Sequence, residues 1–266
     1  MDPLNFVKYE GAGNDFLVVE APTEQFIAPE RAVALCDRHF GVGADGVLLV
    51  VPATSRSARA RMVVLNADGS RPEMCGNGLR CVALHLARRD EAARPSYVIE
   101  TDAGERTAEV ERSGGAAHVT QGMGSGRLGG TQRFPVKGAE REFLLVDMGN
   151  PHAVSFGPRL TEAELDVVGP AFSATQPQGA NVEIVTPVDG RLDVLVWERG
   201  VGRTLACGTG AAGVAVAAAV TGLARFGAPV EVRLPGGSLS VTVEAETLRT
   251  TMRGPARWVF SGQVGA

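Results

Sequence analysis

The chain is almost without lysine: Lys8 and Lys137 are the only two among 26 basic residues. A lysine Schiff base is therefore a poor candidate for its chemistry, and the abundant arginine and alanine beside that scarcity read as a bias of base composition. Long apolar runs are missing too. The most apolar segment, residues 211–220, falls well short of the roughly 20 residues a membrane helix needs and fits a buried helix instead. No long run of like charge occurs and the formal net charge is −4, which gives no reason to expect nucleic acid or a membrane as partner. The N-terminus has no basic region followed by an apolar core, so no secretory signal is expected. Cysteine is sparse, at 36, 75, 81 and 207, and too scattered for a scaffold of bridges, which predicts a reduced, soluble cytoplasmic protein with free thiols. Neither the Rossmann glycine spacing nor a Gly-Lys-Ser/Thr loop is present, so a nucleotide is not indicated. What remains is a small-molecule protein of 266 residues, enough for two domains of about 130.

Two stretches stand out against this background. Asn66-Ala-Asp-Gly-Ser-Arg-Pro-Glu-Met-Cys75-Gly-Asn-Gly78 and Glu198-Arg-Gly-Val-Gly-Arg-Thr-Leu-Ala-Cys207-Gly-Thr-Gly210 each place a cysteine directly before Gly-x-Gly at a helix start, with a polar residue nine positions upstream. Further pairs match at a shift of 136, against 132 for the cysteines: Gly13-Asn14-Asp15-Phe16 with Gly149-Asn150-Pro151-His152, and Gly43-Ala44-Asp45 with Gly179-Ala180-Asn181. Matched landmarks in one order imply an internal duplication.

Short β-branched runs bounded by Gly, Pro, Asn or Asp dominate the chain, from residues 6–9, 16–20, 47–51 and 62–65 through 97–101, 143–148, 153–156 and 181–185 to 192–197, 230–234, 239–244 and 257–260. Helical signals are few. Residues 31–37 follow Pro29, and residues 161–167 carry Thr161 as N-cap with Glu164 three positions later. After Cys75 the stripe Leu79, Val82, Ala83, Leu86, Ala87 predicts a helix with one face in a core; after Cys207 the apolar run closed by Gly222 predicts one buried all round. The expected fold is therefore α+β. It has two pseudo-symmetric lobes, each a curled, mostly antiparallel sheet or barrel around a central helix, with the active site in the cleft between them. The expected lobes are residues 1–118, with 253–266 returning to them, and residues 119–252. The glycine-rich segment 113–138 reads as the crossover.

Inverting a stereocentre alpha to a carboxylate requires a proton to leave one face of a carbon and another to arrive on the opposite face. Two opposed thiols, one a thiolate base and one a thiol acid, accomplish this without a metal or a pyridoxal group. Each cysteine sits at a helix N-terminus, where unpaired N–H groups favour the thiolate. Bringing a thiol from its usual pKa of about 8.5 to near 7 needs about 2 kcal/mol, and one helix dipole supplies about 0.3–1, so the helix alone is insufficient. The N–H groups of Gly76-Asn77 and Gly208-Thr209 can also hold a substrate carboxylate and stabilise the developing carbanion.

The chain resembles the diaminopimelate epimerase family in six ordered motifs: Gly11–Phe16, Asn66–Ser70, Glu73–Gly78, Gly149–His152, Gly179–Glu183 and Trp197–Gly202 leading to Ala206–Gly210. That resemblance implies a cofactor-independent, PLP-independent isomerase that interconverts L,L- and meso-2,6-diaminopimelate in lysine and peptidoglycan precursor biosynthesis, acting as a homodimer. It implies Cys75 and Cys207 as acid and base, His152 and Glu198 as neighbours that tune them, and a substrate shell of Asn14, Asn66, Asn150, Asn181, Glu198 and Arg199. Such a shell suits a substrate with an amino acid head at each end, the unreactive end being recognised through amides and an arginine fork. Gly46 lies where some members of that family carry a glutamine, so no side-chain contact is expected there. Cys36 and Cys81 read as core positions, and His39, His85 and His118 as structural. A proline or hydroxyproline racemase of the same architecture is the nearest alternative; a thiol redox or metal-binding protein is the alternative of a different class.

Overall fold

A computed structural model describes residues 3–265. Residues 1, 2 and 266, at the ends of the expected first lobe, lie outside the described residues. In chain order the elements are β1 (Leu4–Gly11), β2 (Asn14–Glu20), α1 (Pro29–Cys36), β3 (Gly46–Val51), β4 (Ala60–Asn66), α2 (Gly76–Arg89), β5 (Ser96–Thr101), β6 (Gly104–Ser113), β7 (Ala116–Ser125), β8 (Arg127–Val136), β9 (Ala139–Asp147), β10 (Pro151–Phe156), α3 (Glu162–Ser173), β11 (Asn181–Val188), β12 (Arg191–Glu198), β13 (Gly202–Arg203), α4 (Gly208–Val220), β14 (Pro229–Leu234), β15 (Gly237–Val243) and β16 (Arg249–Val264). They divide into two compact units, Met1–Gln121 with Gly254–Ala266, and Gly122–Arg253. No helix among the described residues is long and apolar enough to cross a membrane.

In the first unit β1 to β7 follow one another across the sheet, and β16 pairs both β7 and β1, closing a ring of eight strands. The alternation of the strands explains what fills it. Tyr9, Phe16, Val18, Leu48, Val50, Met62, Val64, Ile99, Ala108, Val110, Val119 and Ala256, contributed by all eight strands, pack on Leu79, Val82, Ala83, Leu86 and Ala87 of α2. The intervening residues Leu17, Val19, Val47, Leu49, Val63 and Leu65 point the other way and bury Ala32, Leu35 and Cys36 of α1. Strands covered on both faces read as continuous apolar runs, which is why β3 is Gly-Val-Leu-Leu-Val-Val. The stripe on α2 predicts burial of one face only, but Arg80, Cys81 and Leu84 are buried as well. A helix inside a closed barrel has no outer face.

The second unit repeats the order with β8, β9, β10, β11, β12, β14, β15 and the start of β16. β2–β3 and β10–β11 are parallel, as are β4–β5 and β12–β14, and the strands between are antiparallel in both units. Each parallel pair needs a crossover, and α1, α2, α3 and α4 supply the four. α3 begins with the Thr161/Glu164 capping box, runs on to Ser173 and packs Leu165, Val168 and Phe172 on β8 to β12. α4 is buried from Gly210 to Ala219 and is capped by Thr221, with Gly222 one residue beyond.

Two readings are adjusted by the structure. The glycine-rich segment 113–138, read as the crossover, contains the change of unit between Gln121 and Gly122 and is formed mostly by the long strands β7 and β8, each ten residues. Their sequence pattern is weak because much of each strand is exposed, so ladder hydrogen bonds rather than a run of buried side chains define them. The second correction concerns the internal match. Phe16 pairs with Gly46, and His152 pairs with Asn181. Val47 faces Leu65, and Val182 faces Trp197. The ladders therefore equate Gly46, not Asp45, with Asn181, and Leu48 with Glu183; the letter match was displaced by one residue in the loop before the strand.

Candidate active site

Cys75 and Cys207 are the N-cap residues of α2 and α4, with closely similar backbone angles (φ −135°, ψ 111° and φ −121°, ψ 112°). The Cys75 Sγ accepts from the Gly78 N–H at 3.4 Å, and the Cys207 Sγ accepts from the Gly210 N–H at 3.3 Å. Each sulfur thus takes the place that a serine or aspartate oxygen usually fills at a helix start. The second glycine of each Cys-Gly-x-Gly motif is a matter of space: a Cβ on Gly78 would stand 3.0 Å from Leu48, and one on Gly210 would stand 2.7 Å from Glu183 Oε1.

The surroundings of the two sulfurs differ. Cys207 is buried, and burial followed by the nearby carboxylates of Glu198 and Glu183 pushes its thiol well above the ordinary range, outweighing the hydrogen bonds from Thr209 and the Gly210 N–H. Glu198 ends β12, and the β12–β13 hairpin holds it six residues before Thr204, whose hydroxyl donates a short hydrogen bond to Glu198 Oε1. Burial raises the Glu198 carboxyl, against the lowering effect of bonds from Thr204 and the Cys207 thiol. His152 is 1% exposed and lies between two partners, with Nδ1 2.7 Å from Glu183 Oε1 and Nε2 3.0 Å from Asn150 Oδ1. Glu183 is fully buried, and its second oxygen has no hydrogen-bond partner among the described residues.

Around Cys75 the polar groups are amides and a cation. Asn77, one helical residue beyond Gly76, is 4% exposed and donates from Nδ2 to Asn14 Oδ1 at 3.2 Å; Asn14 donates in turn to Asp45 Oδ2 at 2.5 Å. Arg80 is completely buried and donates to Asn77 Oδ1 at 2.8 Å, to Pro255 O at 3.1 Å and to Gly76 O at 3.5 Å. Asn66, at the end of β4, is tied into its turn by a bond from Nδ2 to Ser70 Oγ at 2.9 Å.

The expected site residues thus fall into two groups. Asn14, Asn66, Cys75, Gly76 and Asn77 belong to the first unit; Asn150, His152, Asn181, Glu198, Arg199, Cys207, Gly208 and Thr209 belong to the second. Asn181 Oδ1 accepts from the Arg199 N–H at 2.9 Å, and the Arg199 guanidinium donates to Gln178 O, so in the second unit these two residues brace one loop. Gly46 has no room for a side chain: a Cβ there would stand 2.7 Å from Leu65 O. Cys81 lies on α2, fully buried in the core, and burial raises its thiol; Cys36 is raised to about 11 by burial. His85 bridges Tyr9 and Glu20.

Two residues escaped the sequence reading. Glu183 was visible as the end of the Gly179–Glu183 motif and as a charge interrupting the apolar run of β11, with no role of its own, and Arg80 as a charge in helical phase with Ala83, Leu84 and Ala87. Both signals are ambiguous until the barrel shows that neither side chain reaches water. Among the described residues no group of three His, Cys, Asp or Glu side chains is disposed to hold a metal ion.

A family model described as diaminopimelate epimerase matches residues 6–128 and 144–259. The diaminopimelate epimerase of a Cyanothece species is 40% identical over 282 residues, covering 97% of this chain and 99% of its own length. That of Desulforudis audaxviator is 42% identical over 279 residues, covering 98% and 99%. Among solved structures, a probable proline racemase from Agrobacterium radiobacter superposes with a TM-score of 0.74 at 17% identity, covering 98% of this chain and 93% of that one. A predicted epimerase from Pseudomonas aeruginosa gives 0.75 at 15% identity, covering 99% of each. Likeness at such low identity speaks for the fold alone.

Proposed function

As the chain belongs to the diaminopimelate epimerase family, we propose that it interconverts L,L- and meso-2,6-diaminopimelate, without a cofactor, through a thiolate base and a thiol acid. The observation that carries this reading is the pair of cysteine N-caps. Two thiols with closely similar backbone angles, each at the start of a helix threaded through its own sheet, are what a two-base inversion requires. Burial beside Glu198 and Glu183 disfavours the Cys207 thiolate; in turnover each thiol is the base toward the isomer whose α-proton faces it and the acid toward the other.

In this reading the main-chain N–H groups of Gly76, Asn77, Gly208 and Thr209 hold the reacting carboxylate and take up charge as the α-proton leaves. Asn14, Asn66, Asn150, Asn181, Glu198 and Arg199 bind the two amino acid heads, and His152 with Glu198 governs the state of Cys207. The family resemblance adds a homodimer in the cytoplasm to the proposal, with a role in lysine and peptidoglycan precursor biosynthesis. Incubation with L,L-diaminopimelate in deuterated water tests it. Meso product carrying deuterium at one α-carbon is expected, and neither exchange nor meso product would end the proposal.

A further inference from the structure

We propose that Arg80, acting through Asn77, and Asp45, acting directly, are positioning residues that fix the rotational sense of the Asn14 side-chain amide. The inference rests on the functional reading above, in which Asn14 touches substrate, and it follows from which groups can donate. A guanidinium can only donate, so the atom of Asn77 that faces Arg80 NH2 at 2.8 Å must be its oxygen. The Asn77 Nδ2 is then the group that faces Asn14, and at 3.2 Å it meets the Asn14 oxygen. At the other end of the chain of bonds a carboxylate can only accept. The Asn14 atom 2.5 Å from Asp45 Oδ2 must accordingly be nitrogen. The two ends agree: reversing either amide would set donor against donor or acceptor against acceptor at two contacts.

Both ends are themselves held. Asp45 Oδ2 also accepts from the Asp15 N–H at 3.0 Å, while its Oδ1 accepts from Arg38 at 2.8 Å; Arg38 reaches Asp15 as well, and Lys8 pairs with Asp15 at 2.7 Å. Arg80 uses Nε, NH1 and NH2 at once, on two main-chain carbonyls and one amide. A lysine has one nitrogen and cannot reproduce that fork. Asn14 thus keeps one Nδ2 hydrogen and one Oδ1 lone pair, at fixed places, for a ligand. A donor beside an acceptor on one rigid amide matches the carboxylate and ammonium of an amino acid head, and a rigid amide favours one arrangement of those two groups over its mirror image.

The test uses the full-length protein. Asp45 is partly exposed, so Asp45→Asn should fold, and it lets position 45 present either an oxygen or an NH2 group to Asn14. With L,L-diaminopimelate we expect KM to rise about tenfold, with a smaller change in kcat. Arg80→Lys should shift KM in the same direction, and the double variant should lose less than the product of the two single losses. A KM for Asp45→Asn within about twofold of the parent, or single effects that multiply independently, overturns the proposal. A readout independent of turnover separates this from the functional reading: the side-chain NH2 resonances of Asn14 and Asn77 in 15N-asparagine-labelled protein, assigned by Asn14→Ala and Asn77→Ala. Asp45→Asn should move the Asn77 signal as well as that of Asn14. If Asn77 does not respond, the amides are uncoupled whether or not the protein turns over diaminopimelate; a parent protein inactive on that substrate overturns only the functional reading.

Discussion

The two halves of this chain are the same frame carrying opposite polarities. In the first, Phe16 and Leu48 lie in the core cluster around α2, and the helix start bears a buried cation, Arg80. At the corresponding positions of the second, His152 and Glu183 form a buried hydrogen-bonded pair, and Ala212 stands where Arg80 would be. Asn66 likewise gives way to Glu198. The cysteines keep their caps and their angles while everything that sets their protonation changes. Duplication supplies two thiols in equivalent places, and the divergence of a few neighbours makes them unlike, as an acid and a base must be at any one moment.

The comparison can be broken most severely at the thiols. Cys75→Ser and Cys207→Ser should each lower kcat for epimerisation by about 10²–10⁴-fold, the usual contribution of a general acid or base. Comparable losses from both variants in both reaction directions would confirm that the halves act as partners; full activity in the double variant would remove the two-base mechanism.

A second test converts one half towards the other. Glu183→Leu alone leaves the buried His152 Nδ1 without its hydrogen-bond partner and should cost about 1–3 kcal/mol by denaturant unfolding. Combining it with His152→Phe, which copies the residues of the first unit, Phe16 and Leu48 in one core cluster, should recover most of that stability. Purely additive costs would show that the apolar and polar pairs are not interchangeable in this frame.

Similar or smaller effects should follow at the paired glycines. Gly210→Ala places its Cβ against a fixed carboxylate oxygen and should destabilise by about 1–3 kcal/mol. Gly78→Ala meets only the end of the Leu48 side chain, which can shift, and should cost less. Equal costs would mean that Glu183 is less tightly held than its burial and its bond to His152 suggest.

The smallest expected effect concerns pH. The folded Cys207 thiol and Glu198 carboxyl are both raised, so the stability they lend is complete below their unfolded pKa values and is lost as pH rises through the folded ones. Melting temperature should therefore decline as pH climbs above about 8.5, where an unfolded thiol ionises, and Cys207→Ala should lessen that decline. Glu198→Gln should lessen any decline that begins above about pH 4.3, where an unfolded glutamate ionises. In the same spirit, iodoacetamide should alkylate the half-buried Cys75 before the buried Cys207; alkylation in the reverse order would contradict the assigned environments.

Local features were legible in the chain itself. The two cysteine caps, the Thr161/Glu164 capping box and the stripe on α2 depend on neighbours within a turn or two, and the strands buried on at least one face announce themselves by composition. The amino acids of β6, β7 and β8 were harder to read because those strands face largely outward and are defined by pairing. The register of the duplication was also hidden, since letters in a loop can slide by one residue where a ladder cannot.

By itself the sequence determined that this protein has two equivalent thiols, each at a helix start, on a duplicated frame of the epimerase family. That Asn66 and Glu198 hold equivalent places with unlike charge was legible there too; only the tertiary structure decided how far the surroundings of the two thiols differ. Whether Arg80, Glu183 and Glu198 are solvated side chains or buried charges depends on barrel walls built from residues far away along the chain, and removal from water is what turns an ordinary charge into one that sets the ionisation of its neighbour.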